Sequence, residues 1–166
     1  AAMRTCVERW SGMGHAVPAA LSEFWTEGQE TAAASVSGEP LWDAVWAYIV
    51  RGCSGTPSVP DIAILTGNLD GDDQEDIVVD WREIKCPGAN PRPFCGASMC
   101  SADVFLSGSF ERSGQPEQLL ALGVGIVPLS NGNFAVRTGG TLAMCQPATS
   151  CHFLWYWNGQ TFDRLK

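Results

Sequence analysis

The chain has 166 residues, of which 45% are apolar and 17% are charged, and its formal net charge is −8. This length and apolar content predict one folded domain over residues 1–166 and argue against a disordered chain. The negative charge and the absence of a lysine or arginine cluster argue against a nucleic-acid partner, because phosphates would be repelled. Acidic residues, prolines and glycines interrupt the longest uncharged stretch, so no membrane span is predicted.

The first third of the chain has apolar residues at helical spacing, and residues 1–55 are therefore predicted to be mainly helical. The clearest pattern begins at Pro40, which suits the first turn of a helix, and ends at Gly52, which suits a stop. Five apolar side chains form one stripe along this helix: Trp42, Val45, Trp46, Ile49 and Val50. A stripe at this spacing is expected to face the core.

Residues 60–166 are predicted to be mainly β. Strand-like runs with β-branched or alternating apolar residues occupy 61–67, 76–81, 102–110, 120–138 and 152–162. Two of these runs contain turn signals, at 130–133 and at Asn158–Gly159, and each is predicted to form a hairpin. The chain order therefore indicates an α+β fold, with a helical N-terminal third packed on an antiparallel sheet and stabilised by disulfides.

Seven cysteines are many for this length, and they lie at 6, 53, 86, 95, 100, 145 and 151. No C-x-x-C pair occurs, so a zinc site is not indicated. Frequent cysteines without metal spacing are typical of disulfides in oxidising compartments, and the sequence predicts a periplasmic or secreted protein.

Close spacing favours two disulfides, Cys95–Cys100 and Cys145–Cys151. An alternative that the spacing leaves open pairs Cys86 with one member of the 95/100 pair. A further hypothesis pairs Cys6 with Cys53 and leaves Cys86 unpaired.

The stretch "GNLDGDDQEDIVVDW", residues 67–81, is strongly acidic and continues into a strand. A hard cation such as calcium needs six to eight oxygen ligands, which a tightly curled loop supplies from alternate residues. Side-chain oxygens of four residues and one backbone carbonyl have this spacing: Asn68, Asp70, Asp72, Asp76 and the carbonyl of Gln74. Gly71 lets the chain turn between the second and third of these ligands.

The segment "NLDGDDQEDIVV" resembles the short calcium loop of FG-GAP and VCBS-type repeats, whose D-x-D-x-D opening is shared with EF-hands. Val79 stands where an EF-hand has its closing glutamate, so the short form closed by Asp76 fits better. The resemblance implies a calcium site but no propeller, because only one copy is present. Two positions depart from the pattern: Asn68 replaces a carboxylate, and Asp73 replaces a glycine.

"DGDDQEDIVVDW", "FCGASMC" and a cysteine pair before "WYWNG" together are similar to small exported bacterial proteins of uncharacterised function. This resemblance implies no activity.

The alternative to a calcium site is a solvated acidic turn at the end of a strand. Five acids within seven residues repel one another, which argues for an offsetting cation.

The sequence contains no assembled catalytic motif and leans against an enzyme. His15 and His152 are the only histidines, and a nucleophilic Cys151/His152 pair would need an unpaired cysteine. Asp80 and Glu83 are the only carboxylate pair that suggests glycosidase chemistry.

The expected function is an exported calcium-binding interaction module with a protein partner. One alternative is a periplasmic inhibitor or immunity protein that uses the proline-rich segment 87–94 to block an enzyme. A second alternative is a small cell-wall or glycan hydrolase, in which Trp155 and Trp157 line a sugar groove. The sequence leaves the oligomeric state open.

Overall fold

The computed structural model describes residues 40–165. Three helices, the short 3-10 turn Asp61–Ala63 and two four-stranded antiparallel sheets make up most of this region. The first sheet has the strand order β1-β2-β3-β4, with β1 Ile64–Gly67, β2 Asp76–Asp80, β3 Cys100–Phe105 and β4 Glu117–Ala121. The second has the order β5-β6-β7-β8, with β5 Val124–Pro128, β6 Phe134–Gly139, β7 His152–Trp157 and β8 Phe162–Arg164.

Three helices accompany the sheets: α1 Pro40–Cys53, α2 Ser107–Ser113 and α3 Leu142–Cys145. The predicted helix from Pro40 is confirmed and ends one residue beyond Gly52. Trp42, Val45 and Ile49 on its stripe are buried, whereas the remaining two members are half-buried.

The first sheet lies between two apolar cores because its central strands are buried on both faces. Ile77 and Val79 of β2 face a core shared with α1, whereas Val78 faces a core shared with the second sheet. This alternation follows from the two-residue side-chain period of a strand. The second core receives Val136 and Phe162 from the other sheet. The described region therefore has three layers: α1, the first sheet and the second sheet.

The predicted α+β fold, a helical third packed on one antiparallel sheet, was wrong. Residues 40–165 are mostly β, with two sheets and only short helices. The sequence periodicity indicated the strands, but it could not show that they divide between two sheets that pack on each other. The predicted helices before Pro40 lie outside the described residues.

Most of the individual strand predictions are confirmed, but the predicted run 61–67 starts as a 3-10 turn and becomes strand only at Ile64. The hairpin turn between β5 and β6 contains Gly132 at φ 90°, and the turn between β7 and β8 contains Gly159 at φ 100°. The run 102–110 is a correction: its strand ends at Phe105, and α2 follows from Ser107. Leu106 lies between the two elements and is still buried, so its apolar character did not mark it as strand.

Three disulfides cross-link the described region. Cys95–Cys100 and Cys145–Cys151 are confirmed. The hypothesis that Cys6 pairs with Cys53 and leaves Cys86 over was wrong, because Cys53 is bonded to Cys86.

A backbone bridge explains the Cys53–Cys86 pairing. Ser58 and Lys85 exchange two hydrogen bonds, N–H to O, of 2.8 and 3.0 Å, and so hold the segment after α1 beside Cys86. A disulfide framework of this kind fits a protein of an oxidising compartment. Within residues 40–165, no helix has the length and apolar character that crossing a bilayer requires.

The six described cysteines pair with one another, and Cys6 belongs to none of these three disulfides. Blocking thiols without reduction, followed by peptide mass mapping, should recover a linked Cys53–Cys86 peptide and no label on either cysteine. Label on Cys53 or Cys86 would contradict the bridge. Reduction before blocking serves as the control, since it should label both.

Candidate metal centre

The acidic loop connects β1 to β2 in a hairpin. The two strands are antiparallel, and Gly67 pairs with Asp76, so residues 68–75 form the connection. Asp76 is the first residue of β2, and its side chain is 0% exposed. The loop therefore has one end inside the protein, although residues 71–75 are exposed.

Side-chain oxygens of the loop curl its backbone. Asn68 Oδ1 accepts a hydrogen bond from the Gly71 N–H at 2.6 Å. Asp70 Oδ1 accepts from the Asp72 N–H at 3.1 Å, and Asp72 Oδ1 accepts from the Gln74 N–H at 2.9 Å. Short polar side chains stabilise turns in this way. Gly71 and Asp73, both with positive φ (85° and 65°), complete the winding.

The Asp76 carboxylate closes the loop from inside. Its Oδ2 accepts hydrogen bonds from the N–H groups of Leu69 at 2.7 Å and Asp70 at 3.3 Å. Its Oδ1 accepts from the N–H of Ser107 at 2.9 Å. Asp76 therefore connects the start of its own loop to the start of α2.

Three of the predicted ligands converge. Carboxylate oxygens of Asp70, Asp72 and Asp76 all lie within 4.8 Å of one another. These oxygens come from both ends of the loop, brought together by its winding. A cluster of this size can hold a metal ion, and its hard oxygen donors suit a hard divalent cation.

The other two predicted ligands have local backbone roles. Asn68 is half-buried, and its Oδ1 accepts the Gly71 N–H. Gln74 is exposed, and its N–H donates to Asp72. Their participation as metal ligands stays a prediction.

The carboxylates of this cluster carry an electrostatic cost. Burial, and to a smaller extent the neighbouring charges of Asp70 and Asp72, raise the pKa of Asp76 to about 6 against the opposing effect of the N–H donors. The pKa of Asp70 is also raised, first by burial and then by Asp72. A cation at the centre of the cluster would offset this repulsion.

Ser107 is a site residue that the sequence did not reveal. It is the first residue of α2, it is 4% exposed, and its Oγ donates to Asp72 Oδ2 at 2.9 Å. It lies 35 residues beyond Asp72 in the chain, and no motif connects the two.

The loop also contacts the second sheet. The backbone oxygen of Asn68 accepts a hydrogen bond from the Phe134 N–H at 2.9 Å. A Cβ added at Gly71 would lie 2.9 Å from Asn133 Nδ2, so this glycine allows the β5–β6 turn to approach closely. The acidic loop thus contacts both α2 and the second sheet.

The described residues include four that were considered for catalysis: Asp80, Glu83, Cys151 and His152. Asp80 is buried and its Oδ1 accepts the Arg82 N–H at 3.0 Å, in the turn after β2, with Glu83 half-buried nearby. His152 is exposed at the first position of β7, and the adjacent Cys151 is in a disulfide, which removes the nucleophile. His15 lies outside the described residues.

A further buried acidic residue, Asp103, was not predicted from the sequence. Asp103 is 0% exposed in β3, and its Oδ2 accepts a hydrogen bond from Trp81 Nε1 at 2.7 Å. Burial raises the pKa of Asp103, whereas Trp81 and Tyr48 act in the opposite direction. It lies on the α1 side of the sheet, paired with Val79, and serves to position aromatic side chains.

No known protein-family model matches the chain, and no curated protein or solved structure gives a match. The resemblance to FG-GAP and VCBS-type loops therefore has no support beyond the acidic cluster itself. The interpretation of the site depends on its own geometry and charge.

The raised pKa of Asp76 predicts how the stability of the metal-free protein depends on pH. A carboxyl group whose pKa is higher in the folded state binds its proton more tightly there, so folding is favoured at low pH. This contribution is complete below about pH 4 and is lost as the pH rises through about 6. It amounts to no more than about 3 kcal/mol.

Chemical denaturation at several pH values, in the presence of a chelator, measures this contribution. Wild type should lose more stability between pH 4 and 7 than Asp76→Asn does, even though the variant is less stable overall through a lost hydrogen bond. Comparing the two slopes removes the common contributions of other acids. Equal slopes would show that Asp76 titrates normally.

Proposed function

We propose that residues 68–76 bind one calcium ion, which stabilises the surface of an exported, disulfide-stabilised protein that acts by binding a protein partner. The observation that carries the calcium site is the convergence of three carboxylates on one buried member, Asp76. Acids at this distance destabilise one another unless a cation neutralises them.

The donor set favours calcium over other divalent ions. Asp70, Asp72 and Asp76 supply carboxylate oxygens, and no histidine or cysteine belongs to the cluster. Calcium accepts a variable number of oxygen ligands in flexible geometry, which suits a mainly exposed loop. Asn68, a neutral residue at the first position of the loop, lowers the expected affinity. A dissociation constant of about 0.1–1 mM, the range of extracellular calcium modules, is expected.

The surroundings of the loop support a structural role for the ion. Ser107 at the start of α2 and Phe134 at the start of β6 both hydrogen-bond to the loop or its closing aspartate. An ion within the loop would therefore hold three neighbouring elements together. The disulfides support export to an oxidising, extracellular compartment. Calcium is abundant there.

Calcium titration of chelator-treated protein by calorimetry tests the proposal, together with melting curves. Wild type should bind one ion, and at 100 times the dissociation constant calcium should add about 2.7 kcal/mol of stability. The double variant Asp70→Asn/Asp72→Asn should lose binding by at least about tenfold, because two charged ligands become neutral. Asparagine keeps the side-chain oxygens that turn the loop.

The matched control is Asp73→Asn/Glu75→Gln, which removes the same charge from the same loop outside the cluster. It should retain binding within about threefold, since only the more distant field changes. Equal loss in both double variants would mean that general charge, not a site, attracts calcium. If wild type binds no calcium, the loop 68–76 is a solvated acidic turn and the calcium proposal fails.

A second candidate function, a protein inhibitor, is favoured by the segment 87–93. All seven residues are exposed, and the flanking Cys86 and Cys95 are both in disulfides. The Cys86 N–H also donates to Pro91 O at 2.9 Å. Three prolines and two disulfides restrict the segment, so binding it to a partner would cost little conformational entropy.

The charge near this segment favours an acidic partner surface. Arg92 is the only charged residue within 87–93, and exposed Arg51 and Lys85 lie beside the Cys53–Cys86 disulfide. Arginine is frequent in protein-binding hot spots. By contrast, the two tryptophans named for the sugar-groove alternative are partly buried. Trp155 and Trp157 pack against the core between the sheets, and Trp155 Nε1 donates to Thr138 Oγ1.

Replacement of residues 88–93 by glycine and serine tests the inhibitor candidate. A partner that co-purifies with wild type should lose binding to this variant, and Arg92→Ala should weaken binding by about tenfold or more. Arg137→Ala, which removes an exposed arginine from β6, should bind as wild type does. Unchanged binding after the replacement would eliminate this segment as the contact.

A further inference from the structure

We propose that Ser107 is a positioning residue of the calcium site, so that calcium binding and the docking of α2 are coupled. The inference rests on the proposed calcium site and adds to it a residue from another element. Its basis is the pair of hydrogen bonds from Ser107 to two members of the acidic cluster, Asp72 and Asp76.

The two hydrogen bonds act on opposite parts of the loop. The Ser107 N–H donates to Asp76 Oδ1 at 2.9 Å, at the buried end. The hydroxyl donates to Asp72 Oδ2 at 2.9 Å, on the exposed side. Asp72 Oδ1 already accepts the Gln74 N–H, so both oxygens of this carboxylate are oriented. Ser107 thus sets the distance between two candidate ligands that are not adjacent in the loop.

The position of Ser107 makes this arrangement rigid. The residue is 4% exposed, and it follows the buried Leu106, which is the residue after the end of β3. An exposed serine would exchange its hydroxyl hydrogen bond with water, whereas a buried one keeps its partner. Asp72 itself is exposed, so Ser107 is the contact that holds its carboxylate toward Asp76.

The contacts of α2 extend the coupling into the core. The Phe110 N–H donates to Leu106 O at 2.8 Å, in the first turn of the helix. The Phe110 ring meets the Phe105 ring edge-on at 4.9 Å, within the core shared with α1. An ion that draws Asp72 and Asp76 together therefore also stabilises the first turn of α2. Conversely, a docked α2 preorders the ligands before calcium arrives.

Ser107→Ala separates these effects, because it removes the hydroxyl and leaves the backbone N–H that Asp76 accepts. Calorimetry should show about three- to tenfold weaker calcium binding, as expected when an anion loses a hydrogen-bond donor that orients it. Ser109→Ala is the matched control: it lies in the same helix, is half-buried, and should bind calcium as wild type does. Ser107→Thr restores a hydroxyl and should recover part of the affinity.

Amide hydrogen exchange provides a second readout, which can be measured first in wild type and then in Ser107→Ala. Calcium should slow exchange at the amides of Ser107 and Phe110, and in Ser107→Ala this calcium-dependent slowing should be smaller. A purely structural role for Ser107 would lower the melting temperature without calcium and leave calcium affinity unchanged.

The outcomes distinguish this inference from the calcium proposal. If wild type and Ser109→Ala bind no calcium, the proposed function fails. If both bind calcium and Ser107→Ala binds it equally well, the coupling is overturned while the calcium site stands. The same conclusion follows if calcium leaves the exchange rates of the Ser107 and Phe110 amides unchanged in wild type.

Discussion

The burial of the Asp76 carboxylate is the constraint around which the loop, β2 and α2 are arranged. An ionised group inside a protein is costly unless hydrogen bonds or opposite charges compensate. Here three backbone N–H groups, from Leu69, Asp70 and Ser107, converge on its two oxygens. These donors come from segments far apart in sequence, so satisfying one side chain fixes the β1–β2 loop against the start of α2. The pKa of Asp76, raised to about 6, shows that the compensation is incomplete.

This constraint is effective because β2 lies at the centre of the described region. Each residue of the strand is buried, with one face on the core shared with α1 and the other on the core shared with the second sheet. A shift of β2 by one residue would exchange its two faces, and so the position of Asp76 is determined by packing. The acidic loop therefore begins and ends on a rigid support, although most of its residues are exposed.

The two candidate functional segments lie beyond opposite ends of β2. The acidic cluster is built at Asp76, whereas the segment 87–93 follows the turn after Asp80. Four steps of about 3.4 Å separate these ends. The proposed calcium ion at one end and the disulfide-bounded segment at the other would thus act independently, because neither proposal needs the residues of the other. Phe94, whose ring centroid lies 3.9 Å from that of Trp81 at an interplanar angle of 34°, anchors that second segment to the core.

The sequence by itself determined features that depend on neighbouring residues. The helix from Pro40, the hairpin turns at Gly132 and Gly159, two short-range disulfides and the convergence of Asp70, Asp72 and Asp76 all follow from local spacing and backbone preference. Only the tertiary structure decided the division into two sheets, the Cys53–Cys86 bridge and the contribution of Ser107. The bridge and the hydrogen bonds of Ser107 join residues 31 or more positions apart in the chain. The two sheets are built from strands whose sequences contain no pattern that identifies their partners. Such pairings depend on which apolar faces bury each other best, and that is a property of the whole packed chain.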